Sequence, residues 1–480
     1  MAGLDMIVKG GKLIIPKHGE IKADVGIRNG KIAVIGQEIS DVGDARVLDV
    51  SGKKVFPGAI DSHSHIGIYR PLSEDAASET ASAASGGVTT ICSYFRTGNN
   101  YLNKTGSFKD IFPELLQKSA DSFRIDYAYH IACMSSAQIE EIEWLVKECG
   151  VSTLKYYMFY KSLDLSGAKP SGDYLMLGKD VLDFGFLYRF MSEIARINEE
   201  FADNNPIKLS IHCENPEIIT TTSAWSKMHP SGNSMKDYSN GRPPWQEALA
   251  IKEVAFLADQ TGCPVNLLHL ASAAALDAGM QAVEEYPGTD FLLEVTLHHL
   301  AMSYENDYGP LGKVNPPVRS MDDVETLWQA VLGGVVDTVV SDHACHPKEM
   351  RQGDLWEIMP GFGGTGLMFP VMITEGYHKR GLDLTSIAEM TAYNPAVHHN
   401  LYPKKGSIAV GCDADLVIVD LENEKTVTTE LLHSAQDYTP FEGLKLKGWP
   451  SQTIVRGQIV FDDGEVVGRP GYGQYIKRPV

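Results

Sequence analysis

The stretch 56-FPGAIDSHSHIG-67 sets His63 and His65 two apart at the end of an apolar run. Alternate side chains of a strand share a face, so residues i and i+2 converge. Two imidazoles converging just beyond Asp61 suit a metal ion, and they equally suit the wet face of an ordinary strand. What separates the two readings is the rest of the chain.

Downstream, short apolar runs recur with helical segments between them. They are 87–94 GVTTICSY, 127–133 YAYHIAC, 153–159 TLKYYMF, 208–213 KLSIHC, 264–270 PVNLLHL, 291–297 FLLEVTL and 337–342 DTVVSD, and the run 55–63 makes eight. Segments such as 136–150 and 245–262 carry helical patterning. Eight strands alternating with helices predict an α/β fold, a parallel (β/α)8 barrel of the TIM type, with a doubly wound open sheet as the alternative. Spacing agrees with a barrel. The interval from His63 to Lys155 holds three strand-to-strand steps, and the intervals to His212 and then His269 hold one step each plus a long loop. One such loop is 226–244, rich in Gly, Pro, Ser and Asn, and barrels place insertions of this kind at the mouth that sets specificity. Both chain ends instead alternate with Gly and Asn turns, as in KGGK and RNGK. The expected organisation is therefore 1–55 and 400–480 as two parts of a small β-sandwich, the second with a C-terminal tail, around a barrel of 56–399.

Apolar residues at 43% and charged residues at 22% describe a globular chain with a large core. A formal net charge of −20 argues against nucleic acid or an anionic membrane as partner, since both repel it. The seven cysteines are scattered without a CxxC pair, as expected of reduced thiols in the cytoplasm. There is no basic segment leading an apolar one at the N-terminus, and no apolar run nears the ~18–20 residues of a membrane helix. A soluble cytoplasmic protein is the expectation.

The strand ends supply the chemistry. The first carries His63 and His65, the fourth Lys155, the fifth His212, the sixth His269 and the eighth Asp342. A barrel turns all of these ends toward one crater. Four histidines, an aspartate and a lysine across five strand ends predict a metal site. Imidazole and carboxylate suit zinc, with manganese, nickel, cobalt or iron as alternatives, and the absence of cysteine ligands argues against a closed structural zinc. A divalent ion with an open position makes hydroxide at neutral pH, and a pair of ions would also polarise a carbonyl. Asp342 is then placed to take the nucleophile's proton and return it to a leaving nitrogen.

The motifs PGAIDSHSH, TLKYYMFY, IHCEN, LLHLAS, KVNPPVR and SDHACH, with the tail YPKKGSIAVGCDADLVIVDL, resemble the cyclic-amide branch of the amidohydrolase superfamily: hydantoinases, dihydropyrimidinases, allantoinases and dihydroorotases. The resemblance covers nearly the whole chain. It implies that His63, His65 and Asp342 bind one divalent metal and His212 and His269 a second. It also implies that Lys155 bridges them as N6-carboxylysine, the carbamate formed with CO2. A bare ammonium would repel two cations, whereas its CO2 adduct is an anionic donor. Tyr160 matches the family tyrosine that hydrogen-bonds the substrate and the developing oxyanion. Asn315 falls where the family uses backbone groups to hold the ring amide; apart from the resemblance, the glycine-rich loop 361–366 is expected to bring backbone groups against the substrate at Gly363. The implied substrate is a small cyclic amide of hydantoin, dihydropyrimidine or imide type, opened by hydroxide attack, with allantoin or dihydroorotate as alternatives. A homotetramer is implied by the same resemblance. The remaining alternative is a non-enzymatic dihydropyrimidinase-like scaffold, and the filled ligand positions speak against it.

Two features depart from that pattern. Asn315 stands where hydantoinases usually carry serine, and Gly67 where dihydroorotases usually carry a carboxylate-binding arginine, with Arg70 three residues on. The run GFGGTG at 361–366 formally matches a dinucleotide fingerprint, but no strand leads into it, so a nucleotide is not expected. His298 and His299 are expected to support the site or to be structural, His343 and His346 to orient Asp342 or to serve as loop residues, and His398 and His399 to lie away from the chemistry.

Overall fold

A computed structural model describes residues 3–40, 43–160, 182–201 and 205–479, apart from the Tyr160 side chain. Eight strands run β1 Ala59–Ser64, β2 Val88–Arg96, β3 Asp126–Ala132, β4 Thr153–Tyr157, β5 Lys208–His212, β6 Val265–Leu267, β7 Phe291–Thr296 and β8 Thr338–Val340. They lie side by side in chain order, every pair parallel. The ends of the series meet past β1 and β8, where Ser64 bridges His343 and His65 N donates to His343 O at 2.7 Å. The chain is thus a parallel β/α barrel. All residues of these strands are buried, as the helix-covered faces of a parallel sheet require, and that is why they read as unbroken apolar runs.

The run 55–63 is two strands, not one. Lys54–Pro57 pairs with Leu416–Val419 and Lys12–Ile15 in a seven-stranded sheet outside the barrel, and the barrel begins only at Ala59. The break falls at Gly58, where a Cβ would stand 2.1 Å from Thr89 Oγ1, so only glycine passes this close to β2. The helix expected over 136–150 is also divided, into Ser136–Ile139 and Ile142–Lys147. Between the two, Glu141 turns its carboxylate away to accept from Phe108 N at 2.6 Å, serving the start of helix Phe108–Ala120. The segment 226–244 is not wholly a loop. It holds the helix Ser234–Gly241, whose Asn233 cap accepts from Lys236 N.

Strands from both chain ends interleave in the seven-stranded sheet, and four N-terminal strands form a second sheet beside it. Lys405 fastens this region to the barrel. Its buried Nζ lies 2.6 Å from Asp126 at the start of β3, 2.6 Å from Asp415 and 3.1 Å from Asp413. The tail then runs along the barrel, with Ile476 N donating to Tyr127 O at 2.8 Å and Arg478 N to Gly150 O at 3.0 Å. All seven cysteines are buried free thiols. No helix among the described residues is long and apolar enough to cross a membrane.

Candidate metal centre

β1 delivers His63, and the chain just beyond it delivers His65. Their Nε2 atoms lie 3.1 and 3.3 Å from the same oxygen, Oδ1 of Asp342, which follows β8 by two residues. The ligand atoms of these three residues fall within 4.8 Å of one another. Across the crater, His212 at the end of β5 and His269 just past β6 bring Nδ1 and Nε2 to 2.9 Å. The His63 and His269 rings stand 5.5 Å apart, so the two groups form one cluster. His269 and Asp342 hold φ of +37° and +50°. Left-handed backbone at a non-glycine residue costs about 1–2 kcal/mol. Two strained ligand positions mark a site where geometry outranks local stability.

Lys155 of β4 sits among these groups. Its Nζ has no hydrogen-bond partner among the described residues and lies over the Tyr94 and Tyr157 rings at 4.3 and 4.7 Å. Burial drags this amine down to about 7, against the pull of Asp342 and Glu294. Burial also lowers His65 to about 4 and His212 and His269 below the ordinary imidazole range. The four groups therefore reach neutral pH with lone pairs to offer. His212 Nδ1 and His269 Nε2 face each other with one proton at most to share. A divalent cation fits this set: converging imidazole nitrogens, an ionised carboxylate and a buried amine without a hydrogen-bond partner among the described residues, with no sulfur.

Further acids orient the rings. Glu294 of β7 lies 2.8 Å from His63 Nδ1, and Glu214 lies 2.8 Å from His212 Nε2. A carboxylate on the far ring nitrogen takes its N–H and leaves the other nitrogen free to ligate. Tyr101 Oη stands 3.2 Å from His65 Nδ1 in the same role. Glu214 is kept at about 2: burial opposes its charge, but Arg242 at 2.6 Å and His212 overcome it. Sequence reading passed over these residues, although signals existed. Glu214 follows His212 by two, and Glu294 is an acid within a fully buried strand.

A model of the amidohydrolase family matches residues 182–460, more than half of the chain. The chain belongs to the amidohydrolase family. This amidohydrolase is 30% identical over 490 residues to a D-hydantoinase of Rhizobium radiobacter, covering 99% of each chain. It is 31% identical over 479 residues to an allantoinase of Solibacter usitatus, covering 98% of this chain and 97% of that one. The solved structure of an L-hydantoinase (dihydropyrimidinase) from Arthrobacter aurescens superposes with a TM-score of 0.86 at 30% identity, covering 99% of this chain and 100% of that one.

The other sequence-predicted positions of the amidohydrolase divide. The Asn315 carboxamide oxygen faces Arg242 Nη2 at 3.2 Å, and its nitrogen donates to Tyr238 Oη at 2.6 Å, so the side chain is engaged by the protein. Gly363 lies in the loop after β8, where a Cβ would stand 2.9 Å from the His343 ring. The preceding Phe362 packs its ring against His298 at 5.2 Å, and His298 Nε2 is buried without a partner among the described residues. The Tyr160 side chain falls outside the described residues. Arg70 does not join the cluster: it is held at 2.9 Å by Ser78 Oγ and at 3.3 Å by Asp75. His299 accepts no site role, its ring lying 2.7 Å from Thr296 Oγ1 and 3.2 Å from Pro316 O. His346 lies 3.3 Å from Tyr438 Oη, and His399 is 3.0 Å from Thr153 Oγ1 beneath the barrel strands. The run 361–366 is a loop leading into a short 3-10 turn, with no strand before it.

Proposed function

We propose that this amidohydrolase hydrolyses the C–N bond of a small cyclic amide, of hydantoin, dihydropyrimidine or imide type, to give a ring-opened carboxylate. The observation that carries this reading is the convergence of His63, His65 and Asp342 with His212 and His269 around a buried Lys155 that has no hydrogen-bond partner among the described residues. Relatives named for hydantoin and for allantoin stand equally near in sequence, so the allantoin ring is the second reading. Arg70, bound to Asp75 and Ser78, gives no support to a dihydroorotate carboxylate site.

His63, His65 and Asp342 would hold one divalent ion, His212 and His269 a second, with Lys155 between them as its carbamate. When bound, such ions polarise a carbonyl and bring the pKa of water to about 7. Lys155 suits the carbamate role because an amine titrating near 7 is largely neutral just above that pH, and only the neutral amine adds CO2. Asp342 stays ionised: burial opposes this, but His63 and His65 hold it well below the usual carboxylate range. With Oδ1 turned to the two imidazoles, its second oxygen is the site that accepts the nucleophile's proton and passes it to the departing nitrogen. Backbone groups at Asn315 and Gly363 would hold the ring, and Tyr160 would donate to its developing oxyanion.

We take residues 1–55 and 400–480 as the parts of one β-sandwich around the barrel, and a homotetramer as the assembly. Trp225, Trp245 and Phe256, all more than half exposed on outer helices, offer apolar surface for self-association. The deciding experiment is metal analysis of the purified protein with turnover of hydantoin, dihydrouracil, allantoin, dihydroorotate and succinimide. Two metal equivalents and ring opening of one or more of these are expected. A metal-free protein inert to all five would favour the scaffold alternative.

A further inference from the structure

The loop after β8 is fastened at several backbone positions. Met359 O accepts from Arg351 Nη1 at 2.7 Å, Pro360 O from Tyr69 Oη at 2.9 Å, and Phe362 O from Ala344 N at 3.2 Å. Two further contacts hold the glycines themselves. Gly364 N donates to His343 Nδ1 at 3.1 Å, and Gly363 N donates to Gln436 Oε1 at 2.8 Å.

Gln436 belongs to the C-terminal part of the chain, 73 residues beyond the glycine it holds. It is buried, and its own amide is locked by donating Nε2 to Tyr438 O at 2.8 Å, which leaves Oε1 aimed at Gly363 N. The segment that carries it is anchored in turn. Glu79, on the helix Leu72–Ser85 after β1, accepts from Ser434 Oγ at 2.6 Å and Ala435 N at 3.0 Å. The same carboxylate stands 2.9 Å from His343 Nε2, and the His343 carbonyl accepts from His65 N. One connected set of contacts thus links residues 434–436, the glycine loop and a proposed metal ligand.

We propose that Gln436 is a positioning residue for substrate: it fixes the Gly363 backbone at the crater wall, so the C-terminal segment sets how tightly the ring is held. This rests on the ring-amide reading above. The physical reason is that loops at a barrel mouth move unless tied, and a ring held by backbone groups needs those groups preset before it arrives. Gln436 ties the loop without touching the reacting atoms.

Two variants of the metal-loaded protein test this. Gln436→Met keeps the shape and loses the acceptor. Gln436→Glu, protonated in its buried site, keeps an acceptor for Gly363 N and a donor for Tyr438 O. For Gln436→Met we expect amide exchange across 361–366, read by mass spectrometry, to quicken about 5-fold, the equivalent of one lost hydrogen bond. KM for whichever of hydantoin, dihydrouracil or allantoin is hydrolysed should rise by a similar factor. We expect kcat to change less than about 2-fold, as for a loss of binding shared by ground and transition states, and metal content to hold. Gln436→Glu should restore both exchange and KM. Unchanged exchange in the Met variant overturns the proposal, as does faster exchange spread over the whole chain, or faster loop exchange with KM unmoved. If the wild-type protein opens none of these three rings and not succinimide either, the ring-amide reading falls and the substrate role with it, while the exchange measurement still decides whether Gln436 holds the loop.

Discussion

Replacing Lys155 by methionine should stabilise the metal-free protein while disabling it. The wild-type amine is buried, lacks a hydrogen-bond partner among the described residues and titrates near 7. An unfolded lysine titrates near 10.4. Between these two values the unfolded chain binds a proton that the native chain does not, so stability rises with pH across the window. At pH 7 and below the handicap is nearly whole, and by pH 10.4 it has almost gone. Its size from linkage is about 4 kcal/mol. Methionine has nearly the same length and no charge to desolvate. In chelator-treated protein kept free of CO2, Lys155→Met should therefore melt about 4 °C higher than wild type at pH 7 for a chain of this size. The difference should shrink to about 1 °C at pH 10. Scanning calorimetry of both proteins at both pH values measures it. A methionine variant no more stable than wild type at pH 7, or an advantage that persists undiminished at pH 10, refutes the reasoning.

Three further outcomes follow from the same structure. Lys405→Met leaves Asp126, Asp413 and Asp415 buried without their shared cation and should cost about 3–5 kcal/mol in urea unfolding. Glu294→Gln and Glu214→Gln weaken the orientation of His63 and His212 and should each reduce metal affinity about 10–100-fold in a chelator competition, with the circular dichroism spectrum unchanged. Metal loading in the presence of bicarbonate should quicken as pH rises through about 7, because the Lys155 amine sheds its proton there; a rate that is flat or falls from pH 6 to 8 would count against the carbamate.

Much of the barrel was legible because parallel strands covered on both faces leave uninterrupted apolar runs such as GVTTICSY and KLSIHC. Residues at the ends of such runs must share a rim, so His63, Lys155, His212, His269 and Asp342 could be grouped without knowing any distance. What stayed hidden depends on partners across space. Nothing in 55–63 announces that Gly58 hands the chain from one sheet to another, because the clash that demands glycine is with Thr89. Glu141 reads as a helix residue until Phe108 N claims it. Gln436 sits in a stretch with no periodicity at all, and its use appears only once Gly363 is found beside it. Periodicity reports which way a side chain faces, and it is silent on what waits there.

The energetic character of the crater argues that it is built around something it must bind. Several buried charges elsewhere are paired: Lys405 with three aspartates, Arg319 with Glu247, Arg242 with Glu214. In the crater His269 and Asp342 accept left-handed backbone, the Lys155 amine has no hydrogen-bond partner among the described residues, and two imidazole nitrogens face each other at 2.9 Å. The strained backbone and the unpartnered amine lower the stability of the folded chain, and hydrophobic substitution at Lys155 would remove the second outright. Both would be relieved by the proposed cations, which would take up the nitrogen lone pairs, and by conversion of the amine into an anionic donor. A surface of self-association or a passive scaffold would gain nothing from such strain, whereas a hydrolytic centre gains a cage whose ligands are already in place before the ions arrive.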